Sequence, residues 1–322
     1  MDVLHRVDIE PPRPGPGQVA FRVTAAGIGL PDVFMCRGVY PLTPPLPFTP
    51  GQEAAGIVTS IGEGVDVALG SRVMVVTGFT EGHGSFAEHS LANASSTFPV
   101  PDGLSDSEAA GFWIPHLTGW IGLVERGHLA SGEWMVVLGG AGGSGIAAVQ
   151  LGRALGARVI AVVSDEERAA FCRGLGAEET LNRRDGPLAP ALREITGGRG
   201  VDVIYDPVGG PVAVDAAGAM ARDGRLLAVG FASGSWPDLD PHQLVVTNTS
   251  LVGVFAGGYS RQDLERIQRE LAGLIRDGRL RNAVTAIVPF DQLPRALQDL
   301  ADNTVVGKLV LEVSSTSAPA DI

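Results

Sequence analysis

Between Trp113 and Gly257, short apolar runs alternate with stretches of helical periodicity. The runs are Met135–Leu138, Arg158–Val163, Glu179–Leu181, Val201–Tyr205, Leu226–Val229 and Leu251–Phe255. Apolar runs this short, bounded by turn residues, read as strands buried on both faces. Strand followed by helix, repeated, predicts an α/β fold with a doubly wound parallel sheet. Residues 1–112 read differently. Gln18–Ala25, Ala55–Ile61 and Arg72–Val76 are strand candidates among frequent Gly and Pro, and Pro41, Pro44, Pro45, Pro47 and Pro50 stiffen one loop. After Gly257, residues 260–278 place Leu264, Ile267, Leu271, Leu274 and Ile275 at helical spacing. A strand at Ala283–Val288, a helix at Asp291–Asp302 and a last strand at Lys308–Val313 follow.

The strongest chemical signal lies between Trp134 and Ala157. An apolar run, Met135–Leu138, leads into Gly140-Ala141-Gly142-Gly143-Ser144-Gly145. Gly140, Gly142 and Gly145 satisfy G-x-G-x-x-G. A helical pattern with Ala147, Leu151, Ala154 and Leu155 on one side comes next, and Arg158–Val163 closes the unit. Glycine permits the tight turn. A missing Cβ lets backbone approach a pyrophosphate, and the free N–H groups of a helix N-terminus bind the anion. Gly140, Gly142, Gly143, Ser144 and Gly145 are therefore expected to hold a dinucleotide.

The residues after the second strand select the cofactor. An NAD site wants a carboxylate there for the ribose 2′-OH. Here Val163 is followed by Ser164, with Arg168 one helical turn on and Arg183 after the next short strand. A hydroxyl and guanidinium groups suit a 2′-phosphate, so NADP(H) is expected. Asp165 would repel that phosphate if it pointed inward. It precedes Glu166 and Glu167 in a helical first turn, and reads as the helix N-cap.

Composition narrows the classes. The chain has 322 residues, 45% hydrophobic and 19% charged, enough for one large or two ordinary globular domains. No apolar run reaches membrane-spanning length, and the charged, Pro-rich start is not a signal peptide. Cys36 and Cys172 are the only cysteines, too few for a disulfide framework, so a reducing cytoplasm is expected. The net charge of -12 argues against a nucleic-acid partner. There is no G-K-[ST] sequence and hence no P-loop, and Lys308 is the only lysine.

Several segments together resemble one family. They are Ala25-Ala26-Gly27 with Pro31-Asp32-Val33, Gly38-Val39-Tyr40-Pro41, Pro50-Gly51-Gln52-Glu53-Ala54-Ala55-Gly56, Gly84-Ser85-Phe86-Ala87-Glu88, Leu117-Thr118-Gly119-Trp120, Asp206-Pro207-Val208-Gly209-Gly210 and Gly230-Phe231-Ala232-Ser233-Gly234. In that order they resemble the zinc-independent NADPH:quinone oxidoreductase branch of the medium-chain dehydrogenase/reductase superfamily. The resemblance covers nearly the whole chain, which starts late relative to the family's first strand. It implies a Rossmann dinucleotide-binding domain, 113–257, inserted in a β-rich GroES-like catalytic domain built from 1–112 and 258–322.

The resemblance also implies a chemistry. The alcohol-dehydrogenase branch needs a Cys zinc ligand after the Ala-Ala-Gly turn and a His in G-H-E. This chain has Gly27-Ile28-Gly29-Leu30 and Gly51-Gln52-Glu53 instead, so no metal is expected. His83, His89 and His116 read as surface or packing residues. Without a Lewis acid, the suitable acceptor is a quinone or an alkene conjugated to a carbonyl. By resemblance Thr118, Phe231, Ala232, Phe255 and Gly257 lie beside the nicotinamide and Gly209 beneath the dinucleotide. Tyr40 is the candidate polar contact or proton donor to substrate, with water as the other proton source. Gly29 stands where the family usually has Asn, and expected basic residues near Thr247 and Asn303 are absent. The rival activities are an enoyl-thioester reductase, for which Gly38-Val39-Tyr40-Pro41 also fits, and an NADPH-binding sensor or scaffold with little turnover. Pairing of the strand Leu251–Phe255 across a two-fold axis implies a homodimer.

Overall fold

The computed structural model describes residues 3–281 and 284–313. Secondary structure begins with β1 (Gln18–Ile28), α1 (Leu30–Cys36), β2 (Glu53–Ile61), β3 (Arg72–Val76), β4 (His89–Asn93), β5 (Thr97–Pro99) and α2 (Asp106–Ala110). It continues with α3 (Trp113–Trp120), β6 (Trp134–Leu138), α4 (Gly143–Ala154), β7 (Arg158–Val163), α5 (Glu166–Leu175), β8 (Glu179–Asn182), α6 (Leu188–Ile195), β9 (Val201–Asp206), α7 (Gly210–Ala217), β10 (Met220–Ala228), α8 (Pro241–Thr247) and β11 (Ser250–Gly253). The last elements are α9 (Arg261–Arg276), β12 (Val284–Pro289), α10 (Leu293–Ala301) and β13 (Lys308–Glu312). Two compact units result. The first comprises 1–114, 261–272 and 282–322, and the second 115–260 and 273–281.

The second unit is the doubly wound sheet that the alternation predicts. Its strand order is β11-β10-β9-β6-β7-β8, all parallel. Chain order runs outward from β6 to β8 on one side and from β9 to β11 on the other. The β6/β9 boundary is therefore the topological switch point, where ligands of such sheets bind. Strands β6 and β9 are buried along their whole length, as central parallel strands require. Helix α3 lies close on α4, because Gly119 leaves room for Leu151: a Cβ there would sit 2.7 Å from Leu151 Cδ1.

The first unit holds a seven-stranded sheet ordered β12-β13-β1-β2-β3-β5, with β4 also paired to β1. Its apolar core includes Phe21, Val23, Val58, Val75 and Leu311, and α10 adds Leu293, Ala296 and Leu297. Two sequence motifs some thirty residues apart are tied together here. The Ser85 hydroxyl donates to the Glu53 carbonyl at 2.9 Å, Ser85 N–H to Gly51 and Phe86 N–H to Pro50. Gly84 is needed for this, since a Cβ would meet the Pro50 carbonyl oxygen at 2.1 Å.

Among the strand boundaries that differ from the pattern-based expectation, three have a plain physical cause. Strand β2 starts at Glu53 rather than Ala55, because a charged residue there is buried by a partner from β13: Lys308 Nζ lies 2.5 Å from Glu53 Oε1. Strand β10 starts at Met220, where Arg222 and Asp223 interrupt the apolar run and the register shifts. Strand β11 stops at Gly253, short of Phe255, because its partner β10 ends at Ala228.

The Glu53–Lys308 pair is almost fully buried, with side chains 4% and 7% exposed. Glu53 Oε2 also accepts the Ile114 N–H at 3.0 Å. Breaking a buried pair strands a charge and costs about 3–5 kcal/mol. Lys308→Met is expected to lower unfolding free energy by that amount in urea titration. The double variant E53Q/K308M should recover most of the loss, because its amide oxygen still serves Ile114. Equal stability of the single variant and the wild type would refute this account of the pair.

Candidate functional site

In the second unit the glycine turn joins the end of β6 to the start of α4. Gly142 is the N-cap of α4, in extended backbone, and caps no amide through a side chain. The first-turn N–H groups are thus left without a side-chain cap. Gly145 has no room for a Cβ, which would lie 2.2 Å from the Gly139 carbonyl oxygen and 2.8 Å from Gly140 Cα. Gly140 is pressed on β7, with Ala161 Cβ 2.9 Å from where its own Cβ would be. Gly142 is not squeezed in this way; its nearest neighbour would be 3.4 Å off. Two glycines are demanded by packing, and the third keeps the ligand side of the turn bare. Ser144 Oγ lies 2.9 Å from the hydroxyl of Tyr205, a fully buried residue of β9, so this serine is already engaged across the switch point.

At the end of β7, Ser164 Oγ donates to Asp165 at 3.0 Å. Asp165 caps α5 as expected, accepting the Arg168 N–H at 3.0 Å. The same carboxylate pairs with the Arg168 guanidinium, and these bonds hold it below the usual carboxylate range. Arg183 is placed beside them through its backbone, whose N–H donates to Val163 at 2.9 Å, and its side chain is exposed. Ser164, Arg168 and Arg183 therefore gather at one strand end, with the charge of Arg168 already balanced.

The loops after β9 and β10 are joined to each other. Asp206 Oδ1 accepts N–H groups of Val208 (2.9 Å) and Gly209 (2.7 Å), while Ala232 and Ser233 donate to Pro207 and Val208. Gly209 has φ 72°, and a Cβ would meet the Ser235 carbonyl oxygen at 2.2 Å. Asp206 is fully buried, its Oδ2 has no partner among the described residues, and burial raises its pKa. Phe231 is tilted against Trp236 with ring centroids 5.0 Å apart. Thr118 is half-buried on α3. Phe255 is 66% exposed and lies against Gly257, where a Cβ would fall 2.4 Å from its ring.

In the first unit Tyr40 is partly buried, with the Gln52 side chain beside its hydroxyl. Burial first, then the nearby Asp32 carboxyl, raises the phenol pKa, so it is protonated at neutral pH. Gln52 Nε2 also reaches Met35 Sδ at 3.4 Å. Asp32 was not singled out by sequence. It accepts the Gly29 N–H at 2.8 Å, and its Oδ1 is buried with no partner among the described residues. Burial, opposed by the Gly29 bond and Lys308 and reinforced by Glu53, pushes it up to about 7. The readable signal was Asp three positions after Gly29 with Pro31 between, a helix-start pattern. A Cβ at Gly29 would lie 3.5 Å from Asp32 Oδ2 and 3.9 Å from Lys308 Nζ. The positions after Ala-Ala-Gly and in Gly-Gln-Glu thus face a carboxyl–ammonium cluster. Among the described residues no group of three His, Cys, Asp or Glu is arranged to hold a metal ion. Burial pushes the Cys36 thiol up to about 11 and that of Cys172 to about 12.

Two family models match the chain: an alcohol dehydrogenase GroES-like domain over residues 15–102 and a zinc-binding dehydrogenase domain over 143–272. The chain is 30% identical to quinone oxidoreductase-like protein 2 of Rattus norvegicus, covering 94% of this chain and 87% of that one. A mycobacterial protein solved with NADPH has 32% identity and a TM-score of 0.90, over 97% of this chain and 96% of that one. Escherichia coli quinone oxidoreductase, solved with NADPH, has 27% identity and a TM-score of 0.86, over 95% of each chain. Among the described residues no helix is long and apolar enough to cross a membrane.

Asp32 gives the fold a pH dependence. Its carboxyl rises from 3.8 to about 7 on folding, so the folded state favours the proton. The stabilisation is complete below pH 4 and is lost as pH rises through 7. The change is on the order of 4 kcal/mol. Asp32→Asn keeps an oxygen for Gly29 N–H but cannot ionise. Urea titrations of both proteins from pH 4 to 8 should show the wild type losing stability relative to the variant. Parallel curves would rule out a buried, neutral Asp32.

Proposed function

Because the chain belongs to the quinone oxidoreductase branch of the medium-chain dehydrogenase/reductase superfamily, we propose that it is a zinc-independent, NADPH-dependent reductase of quinones or activated alkenes. The observation that carries this reading is the bare, uncapped start of α4 at the switch point of a parallel sheet. Its amides suit a pyrophosphate, and the missing Cβ atoms leave room for one. Ser164 and Arg183 take the 2′-phosphate, with Arg168 held in place by Asp165. Thr118, Phe231, Ala232, Phe255 and Gly257 are assigned to the nicotinamide end, and Gly209 to the backbone beneath it. When bound, the cofactor supplies reducing equivalents as hydride.

Zinc independence rests on donor chemistry. Gly29 offers no side chain and Gln52 only an amide, where thiolate and imidazole would be needed. A quinone or enone spreads developing charge over its own conjugated system, so positioning and one hydrogen-bond donor suffice. Tyr40, protonated and beside Gln52, is assigned that role toward a substrate oxygen. In this role the phenol donates a hydrogen bond, and the final proton comes from it or from water.

The edge strand β11 leaves Leu251 43% exposed, and Phe255 follows it into solvent. An apolar edge of this kind is normally covered, and the proposed cover is a second copy across a two-fold axis. Light scattering at micromolar concentration should report a dimer; a monomeric mass would remove the proposal.

The activity is tested by following NADPH oxidation with 1,4-benzoquinone, an enone and crotonyl-CoA in parallel, with NADH as the alternative donor. Turnover with the quinone or the enone is expected, and KM should be lower for NADPH than for NADH. Arg183→Ala should raise KM for NADPH roughly 10- to 100-fold, the worth of one charge-assisted bond, and leave NADH unaffected. Turnover confined to crotonyl-CoA would make the protein an enoyl-thioester reductase. NADPH binding without turnover of any of the three would make it a sensor or scaffold.

A further inference from the structure

We propose that a cavity at the far end of α4 is a binding site for a phosphate group, distinct from the dinucleotide turn. The cavity has a volume of about 220 Å³ and lies within the second unit, lined by Gln150, Arg153, Gly174, Leu175, Arg279 and Arg281, among others. Gln150 is seven residues beyond the first residue of α4, about 10 Å along the helix axis. The volume is several times the ~30 Å³ a water molecule occupies in the liquid, enough for a solvated oxyanion.

Two observations point to an anion. Three arginines line the cavity in a chain of net charge -12, and no Asp or Glu lines it among the described residues. Gln150 is 3% exposed, and its Oε1 accepts the Arg281 N–H at 2.8 Å. That bond fixes the amide orientation and leaves Nε2, a buried donor, without a partner. Nε2 is shut off from solvent, so the part Gln150 plays at the cavity is to hold the Arg281 backbone in its wall. Finally, the arginines are not all used by the fold. Arg279 donates to the Ala154 carbonyl at the end of α4, the ordinary work of a cation at a helix C-terminus. The Arg153 and Arg281 guanidiniums have no such bond among the described residues. Arg153 is laid against Gly176, at φ 108° the left-handed cap of α5, where a Cβ would fall 2.1 Å from Arg153 Cδ. Glycine at this turn keeps the arginine beside the cavity.

Two guanidinium groups free of fold contacts suit a phosphate, which Arg recognises in a bidentate manner. The source is either free phosphate or the end group of a phosphomonoester. The site does not depend on the activity proposed above, so it is tested on the whole protein both with and without saturating NADPH.

Inorganic phosphate should raise Tm saturably relative to sodium chloride of equal ionic strength, and NADPH should not abolish the effect. The double variant R153Q/R281Q, altered at two exposed positions, should weaken phosphate binding at least tenfold while NADPH binding is unchanged. Gln150→Leu removes the acceptor that holds the Arg281 backbone, and it should also weaken the response. Glycerol phosphate binding as tightly as phosphate would identify a phosphomonoester ligand, and weaker binding the free ion. A response no larger than that of chloride, loss of the response on adding NADPH, or unchanged binding by the variants would overturn the proposal and leave the arginines as caps of two helix ends.

Discussion

No side chain fits at Gly145, where a Cβ would press on the Gly139 carbonyl oxygen from 2.2 Å. That exclusion sets how closely α4 follows β6, and with it the direction in which the first amides of the helix point. The same contact puts those amides at the β6/β9 boundary, the only place in the sheet where chain order turns from one side to the other. Tyr205 on β9 reaches across this boundary to Ser144. The proposed anion site is therefore held from both strands by a backbone contact and one hydrogen bond, with little freedom to relax.

The first unit uses the same device with a different result. Gly27 lies where a Cβ would meet both the Ala110 carbonyl oxygen, at 2.4 Å, and Glu53 Cγ, at 2.6 Å. Glycine there lets a glutamate lie between two backbone segments and reach Lys308. The buried pair then places a cation near Asp32, lowering a carboxyl that burial drives upward. Tyr40 feels that carboxyl in turn. The chain Gly27, Glu53, Lys308, Asp32 and Tyr40 is one electrostatic unit, although its members are spread over most of the sequence. Changing any of them alters the charge that the tyrosine experiences.

What could be read from sequence follows from what a pattern records. Central strands such as β6 and β9 are apolar throughout, so their positions are plain. The start of β10 contains Arg222 and Asp223, and the start of β2 is a glutamate; both are strand for reasons of pairing rather than apolarity. The glycines of the turn were legible because their spacing is local. Asp32 was not, because what makes its carboxyl unusual is burial, and the charges that modulate it come from Glu53 and from Lys308, some 276 positions away in the chain. Arg153, Arg279 and Arg281 escaped notice for the same reason: no local spacing relates the end of α4 to the turn after α9.

Asp165 shows how a residue that contradicts a motif can be consistent with it. A carboxylate at the end of the second strand is the mark of a 2′-hydroxyl site, and by position Asp165 comes close. Its two oxygens are nevertheless occupied by the Arg168 backbone N–H, the Arg168 guanidinium and the Ser164 hydroxyl. A carboxylate held below its usual range by three donors is already engaged and has little capacity left to accept from a ribose. It also fixes Arg168 at the strand end, so that the charge beyond the pair is set by Arg183. In the proposed site, discrimination between the two cofactors would then fall chiefly to the exposed Arg183, whose backbone is bonded to Val163, with Ser164 beside it.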